Sequence, residues 1–161
     1  MRPWLLNMPP ARHDAQVHLL CFPPVGCSPV SAFDRWGSGL PDWLRVRTVQ
    51  LPGRGTRGDE PSMLRVARIA TAAANAAAAL TPADVHIVLF GHGLGALCAF
   101  EVARRLEGLH GRRPMYLLLS GCAAPSMWPS NADPRRRWAV PATAEVVAPS
   151  LFWLVFRLSS H

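Results

Sequence analysis

The stretch 88–97, VLFGHGLGAL, runs an apolar segment into three alternate glycines, Gly91, Gly93 and Gly95, and then into small residues. A strand–turn–helix of this kind can hold a nucleophile at its tip in the pattern G-x-S-x-G, with the serine oxygen standing clear of the sheet. Glycine is needed two residues before and two after the tip, because strand and helix approach too closely there for side chains. Gly91 and Gly95 meet that need. The tip itself is Gly93, so a hydrogen occupies the place of the reactive atom. A tip residue sits at positive φ, a strain of about 1–3 kcal/mol for a residue with a Cβ. Glycine relieves that strain and removes the nucleophile in one step. Neither neighbour replaces it: His92 is expected to point elsewhere, and Leu94 is apolar.

A second chemistry fits the same residues. Gly91, Gly93 and Ala96 satisfy G-x-G-x-x-[GA], the turn that seats a pyrophosphate on a helix start. On that reading Gly93 is wanted, since backbone must approach the phosphates. Two features oppose it. The next strand ends in Ser120-Gly121 without the acidic residue that would hold a ribose, and two strands precede a turn that normally follows the first.

The elements that must position the turn are visible as patterns. Four apolar runs, 18–22, 46–50, 87–90 and 115–120, read as buried parallel strands, apolar on successive residues rather than alternating. Between them, 64–80 is an alanine-rich helix followed by Pro82. The stretch 94–106 places Leu94, Leu97, Cys98 and Val102 on one helical stripe. This alternation predicts an α/β three-layer sandwich with a mainly parallel sheet, its strand-to-helix loops gathered on one edge where ligands bind.

Composition narrows the function classes. The 161 residues suit one domain, and half of them are apolar. The net charge of +7 comes entirely from arginine, and apart from Arg135-Arg136-Arg137 the arginines are scattered. A nucleic-acid binder would gather them on one element with aromatics between them, so nucleic acid is not expected as a partner. Cys21, Cys27, Cys98 and Cys122 make no C-x-x-C pair and no zinc spacing, so no metal is expected and reduced thiols fit a cytoplasmic compartment. The opening MRPWLLNMPPARHD is too short in its apolar part for a signal peptide. No run reaches the length that crosses a bilayer.

Two further stretches complete a pattern. LLCFPPVGCS follows the first strand, and VQLPGRGTR follows the second; after the glycine turn comes PMYLLLSGCAAPS. In this order and spacing, over about 19–126, the chain resembles the type II thioesterases. These are the α/β-hydrolase-fold editing enzymes of nonribosomal peptide and polyketide assembly lines. The family pattern runs F-P-x-A-G-G-S, Q-L-P-G-R, F-G-H-S-M-G-A-L, and a strand ending S-G-x-x-A-P. The resemblance implies the N-terminal part of an α/β-hydrolase fold and no cofactor. The implied partner is an acyl or peptidyl carrier protein, whose phosphopantetheine arm presents an acyl thioester. In such enzymes serine attacks, histidine takes its proton, aspartate orients the histidine, and two backbone amides hold the oxyanion. Carried onto this sequence, the amides are those of Val25 and Leu94, and the nucleophile position is Gly93.

The resemblance fades after Ser126, which sets the expected domain at 1–126 and an atypical, poorly ordered tail at 127–161. Asp133 and His161 follow the turn in the right order, but a proline-flanked stretch and a chain terminus are poor supports for a triad. Ser28 and Ser120 are hydroxyls near the same edge, read as satisfying loop backbone. The expected reading is a truncated thioesterase relative without turnover. The alternatives are a non-catalytic carrier-protein or pantetheine binder, or the dinucleotide turn. Strand 115–120 would then be an exposed apolar edge, with LFWLVFRL (151–158) as its candidate cover and Pro149 interrupting what precedes it. A hydroxyl or thiol bonded to an imidazole beside the Val25 and Leu94 amides would contradict the empty tip.

Overall fold

The computed structural model describes residues 3–9, 14–24, 26–36, 39–123, 144–150 and 153–158. Seven strands form one sheet in the order β1-β3-β2-β4-β5-β7-β6. Its centre is β3 (Leu44–Val49), β2 (Val17–Phe22), β4 (His86–His92) and β5 (Tyr116–Ser120), all mutually parallel. These are the four strands expected from the apolar runs, with ends shifted by one or two residues. Because β2 pairs with both β3 and β4, the chain reverses direction across the sheet between β2 and β4. A crevice opens beyond the carboxyl ends of strands at such a reversal.

Two helices cover one face. Helix α2 (Val66–Leu80) buries Ala70, Ala73, Ala74 and Ala77, a stripe at helical spacing whose small side chains let it lie close beside α3 (Leu94–His110). Its first turn starts two residues later than the alanine-rich pattern suggested, with Arg65 extended. Helix α3 runs on to His110 and stops at Gly111, at φ 61°, where the Gly111 and Arg112 amides bond back to Glu107 and Leu106. Beneath both helices lie Leu20, Phe22, Leu89, Leu117 and Leu119 of the sheet, all fully buried, with Leu106 of α3 buried in the same core. Each contributes about 1.5–3 kcal/mol relative to exposure. The opposite face is covered more thinly by the short helix α1 (Pro29–Phe33) and the segment after it. There Phe33, Trp36 and Phe90 pack ring on ring, with centroids 4.8–5.9 Å apart.

Three features differ from the sequence expectation. Strand β1 (Leu5–Asn7) pairs antiparallel with β3, an edge too short to leave a pattern. In the segment expected to be a poorly ordered tail, β6 (Ala144–Ser150) and β7 (Trp153–Leu158) form an antiparallel pair, and β7 lies antiparallel on β5. The 151–158 run thus contains the cover proposed for the β5 edge. Pro149 does not interrupt β6. That strand is the outermost of the sheet, where a residue without an N–H is tolerated, and a register shift between Val146 and Ala148 adjusts the pairing. The other residues of 127–161, Asp133 and His161 among them, lie outside the described residues.

Candidate active-site turn

Strand β4 delivers the turn at the crevice. Gly93 is the residue before α3, at φ 57° and ψ −122°, a conformation that side chains avoid, and its amide donates to the Ser120 carbonyl at 2.9 Å. The flanking glycines are required by packing. A Cβ on Gly91 would lie 2.6 Å from the Ala96 Cα, and one on Gly95 would lie 2.8 Å from both the Phe22 carbonyl carbon and the Pro23 oxygen. Both are backbone collisions, and backbone cannot step aside cheaply. A Cβ on Gly93 would meet nothing within 4 Å. The turn therefore has the mechanics of a nucleophile elbow: closed at its base and open at its tip.

The close approach of Gly95 to Phe22 brings the start of α3 against the loop leaving β2. That loop is expected to carry one oxyanion amide. Val25 itself lies outside the described residues, between Pro24 and Gly26, the latter at φ 87°. The other expected donor, Leu94, is the first residue of α3 and 44% exposed. The first N–H groups of a helix have no intrahelical acceptor, so the Leu94 amide is available to a carbonyl above the turn.

His92 does not point away from the site's framework, as the sequence suggested. Its Nδ1 lies 3.0 Å from the Ser120 Oγ, and its ring sits where a Cβ on Gly121 would be, 2.6 Å from Cε1. A hydroxyl and an imidazole therefore do meet beside the tip. Ser120 is nonetheless buried at the end of β5, and its carbonyl already holds the Gly93 amide. Ser120 thus ties β5 to the turn through both its backbone and its side chain, a brace rather than a presented nucleophile. Its hydroxyl serves the imidazole and not loop backbone, which corrects the expectation for it. Ser28 makes no side-chain cap at α1 either; its carbonyl accepts from the Ser31 Oγ and the Ala32 amide, both at 3.1 Å. Among the described residues no histidine is hydrogen-bonded to a carboxylate.

The loop after β3 holds a residue that the motif reading passed over. Arg57 is buried and donates to both carboxylate oxygens of Glu60, at 2.8 and 2.6 Å, and to the Gln50 carbonyl at 3.0 Å. Its guanidinium also lies 4.5 Å from the centre of the Trp4 ring, and the Gln50 amide bonds to the Trp4 carbonyl. One arginine thus fastens the Pro52-Gly53-Arg54 turn to the N-terminal strand. The signal available in the sequence was only an arginine three residues before a glutamate.

The thiols divide by depth. Burial pushes the Cys21 thiol far up, and burial with the Glu101 carboxylate pushes Cys98 to about 11, so both stay protonated and inert. Cys122, beyond β5, is raised by burial, and Cys27 is exposed. Among the described residues there is no cluster of metal-binding side chains, and no helix is long and apolar enough to cross a membrane.

Comparison with known proteins agrees with this geometry. The Thioesterase domain family matches residues 17–147. Thioesterase PikA5 of Streptomyces venezuelae is 40% identical over 130 residues, which is 80% of this chain and 44% of that protein. The gramicidin S biosynthesis protein GrsT of Aneurinibacillus migulanus is 33% identical over 124 residues, 77% of this chain and 47% of its own. The type II thioesterase BorB from the borrelidin biosynthetic cluster superposes with a TM-score of 0.70 at 31% identity, covering 80% of this chain and 53% of that one. The chain spans about half the length of the relatives it matches. These matches take in Gly91, Gly93 and Ala96 as part of a thioesterase domain and lend no support to a dinucleotide turn. The chain belongs to the thioesterase domain family, as a homologue of the type II thioesterases of polyketide and nonribosomal peptide biosynthesis.

Proposed function

We propose that this chain receives acyl thioesters presented on the phosphopantetheine arm of a carrier protein and does not itself turn them over. The single observation that carries this reading is the tip: an elbow with its packing glycines in place, open space above Gly93, and no oxygen there. A thioester carbonyl laid over the turn would meet the Leu94 amide, with the Val25 amide as the second donor. Polarisation of that carbonyl is then possible, but attack is not, since the position of the nucleophile holds only a hydrogen. In serine hydrolases the triad acts as a unit, and losing its serine costs about a millionfold in turnover. About a thousandfold over water remains, from the oxyanion site and binding.

The test is direct. Acyl groups loaded on a holo carrier protein should be released by the unaltered chain at no more than that residual rate. Gly93→Ser alone should recover little, because the serine would lack a histidine held by a carboxylate among the described residues. Turnover of order 1 s⁻¹ by either protein, within the ordinary enzyme range, would overturn the reading.

A further inference from the structure

The start of α2 is built against the preferences of a helix. Its cap position is Arg65, extended at φ −105° and ψ 116°, with no side-chain cap and no acidic residue in the first turn. The third helical position is Arg68. A helix start presents unpaired N–H groups and the positive end of the macrodipole. Asp, Asn, Ser or Thr at the cap and Glu three positions on are therefore the stabilising choices. Here both positions carry exposed cations. A third joins them. Gly53 packs so closely on Ser62 that a Cβ there would lie 3.0 Å from the Ser62 Cα, which sets exposed Arg54 beside the segment leading into Arg65. None of these three side chains has a hydrogen bond or ion pair with another described residue. Of the loop's own acids, Glu60 is taken by Arg57, and Asp59 is engaged in a contact of its own. Between the arginines stands Leu64, 91% exposed.

We infer that Arg54, Arg65 and Arg68, with Leu64 among them, form the docking surface for an acidic protein face, that of the carrier protein whose arm reaches the Gly93 turn. The inference rests on the proposed function and names where on this chain that partner sits. The patch lies on the edge where strands end and helices begin, and the neighbouring α3 starts at the turn itself. Charge complementarity selects the partner. Two cations held where the helix start disfavours them, with Arg54 beside them, are a local conflict that an acidic surface resolves. The exposed leucine adds an apolar contact within the charged rim. Nucleic acid is also anionic, but 51–68 contains no aromatic residue on which a base could stack.

Titration of the full chain with a purified holo acyl carrier protein at low and high salt tests this. Binding should weaken with salt, and the pair Arg65→Asp with Arg68→Glu should lower affinity at least about tenfold. The same pair should raise the melting temperature by about 2–4 °C, because both new residues suit a helix start. Loss of binding in a more stable protein is an outcome that misfolding cannot produce. Arg113→Glu, at the opposite end of the fold, should leave affinity within about twofold. If the doubly substituted protein binds as tightly as the unaltered one, the docking surface is refuted while the proposed function stands. If the unaltered protein binds no holo carrier, both fall. Tighter binding of a DNA duplex than of the carrier would refute the partner class.

Discussion

The two ends of the same strands, β2 and β4, are finished in opposite ways. At their carboxyl ends the structure is made by leaving side chains out: Gly91 and Gly95 let backbone meet backbone, and Gly93 leaves the tip open. At their amino ends it is made by putting side chains in. Arg112 donates to the carbonyls of Thr81, Pro82 and Val85, at 2.6–2.9 Å, and Arg47 to that of Leu80 at 2.9 Å. Buried His18 sits 3.2 Å from the Thr81 hydroxyl. These partners close the C-terminal end of α2, whose last carbonyls have no acceptor role within the helix. The contrast separates work from support. The end that could polarise a carbonyl keeps the Leu94 amide without an intrahelical acceptor, and the other end spends arginines to leave its carbonyls satisfied.

The sharpest way to break the comparison is at the base of the turn. Gly95→Ala puts a methyl 2.8 Å from Phe22 and Pro23 backbone, so β2 and α3 must separate. The expected loss is about 4 kcal/mol or more, read by chemical denaturation, and much of the protein should fail to fold at 37 °C. A fully stable Gly95→Ala protein would mean that the crevice is looser than its packing indicates.

The opposite end should break with pH instead. Burial first, and then the charges of Arg47, Arg45 and Arg112, hold His18 at about 4 rather than 6.5. The folded state thus favours the neutral imidazole. That contribution is fully present above pH 6.5 and is lost as pH falls from there toward 4. Its size is up to about 3 kcal/mol. Denaturation curves at pH 7 and 4.5 should show the unaltered protein losing more stability than His18→Gln. Equal slopes would remove His18 from the account.

These two ends were not equally legible in the sequence. The central strands announced themselves by apolar runs, clearest in β2, β4 and β5; β3 carries Arg45, Arg47 and Thr48 among its apolar residues and was the least plain of the four. The turn announced itself through its alternating glycines, although only Gly91 answers a local need, set by Gly95 and Ala96; Gly95 answers to the Phe22 and Pro23 backbone, far off in the chain. What the sequence concealed was long-range. His92 and Ser120 are 28 positions apart, and His18 and Thr81 are 63 apart. No periodicity links such pairs. Strand β1 is held by backbone bonds to β3, which any side chains would permit. Pro149 reads as a breaker until one knows that its strand lies at the sheet's edge, a fact of topology and not of composition.

The smallest expected effect is at the tip, and it sharpens the contrast within the turn itself. Gly93→Ala adds the same methyl as Gly95→Ala, two residues away, but into space with no neighbour within 4 Å. Only the backbone conformation at φ 57° and ψ −122° then resists, toward the lower end of about 1–3 kcal/mol. Parallel denaturation of the two alanine variants should therefore separate them by several kcal/mol, with Gly93→Ala folded and close to the unaltered protein. A comparable collapse of both would mean that the tip is packed rather than open. In that case no acyl group could be received above it, because the space that a side chain cannot enter is closed to a thioester as well.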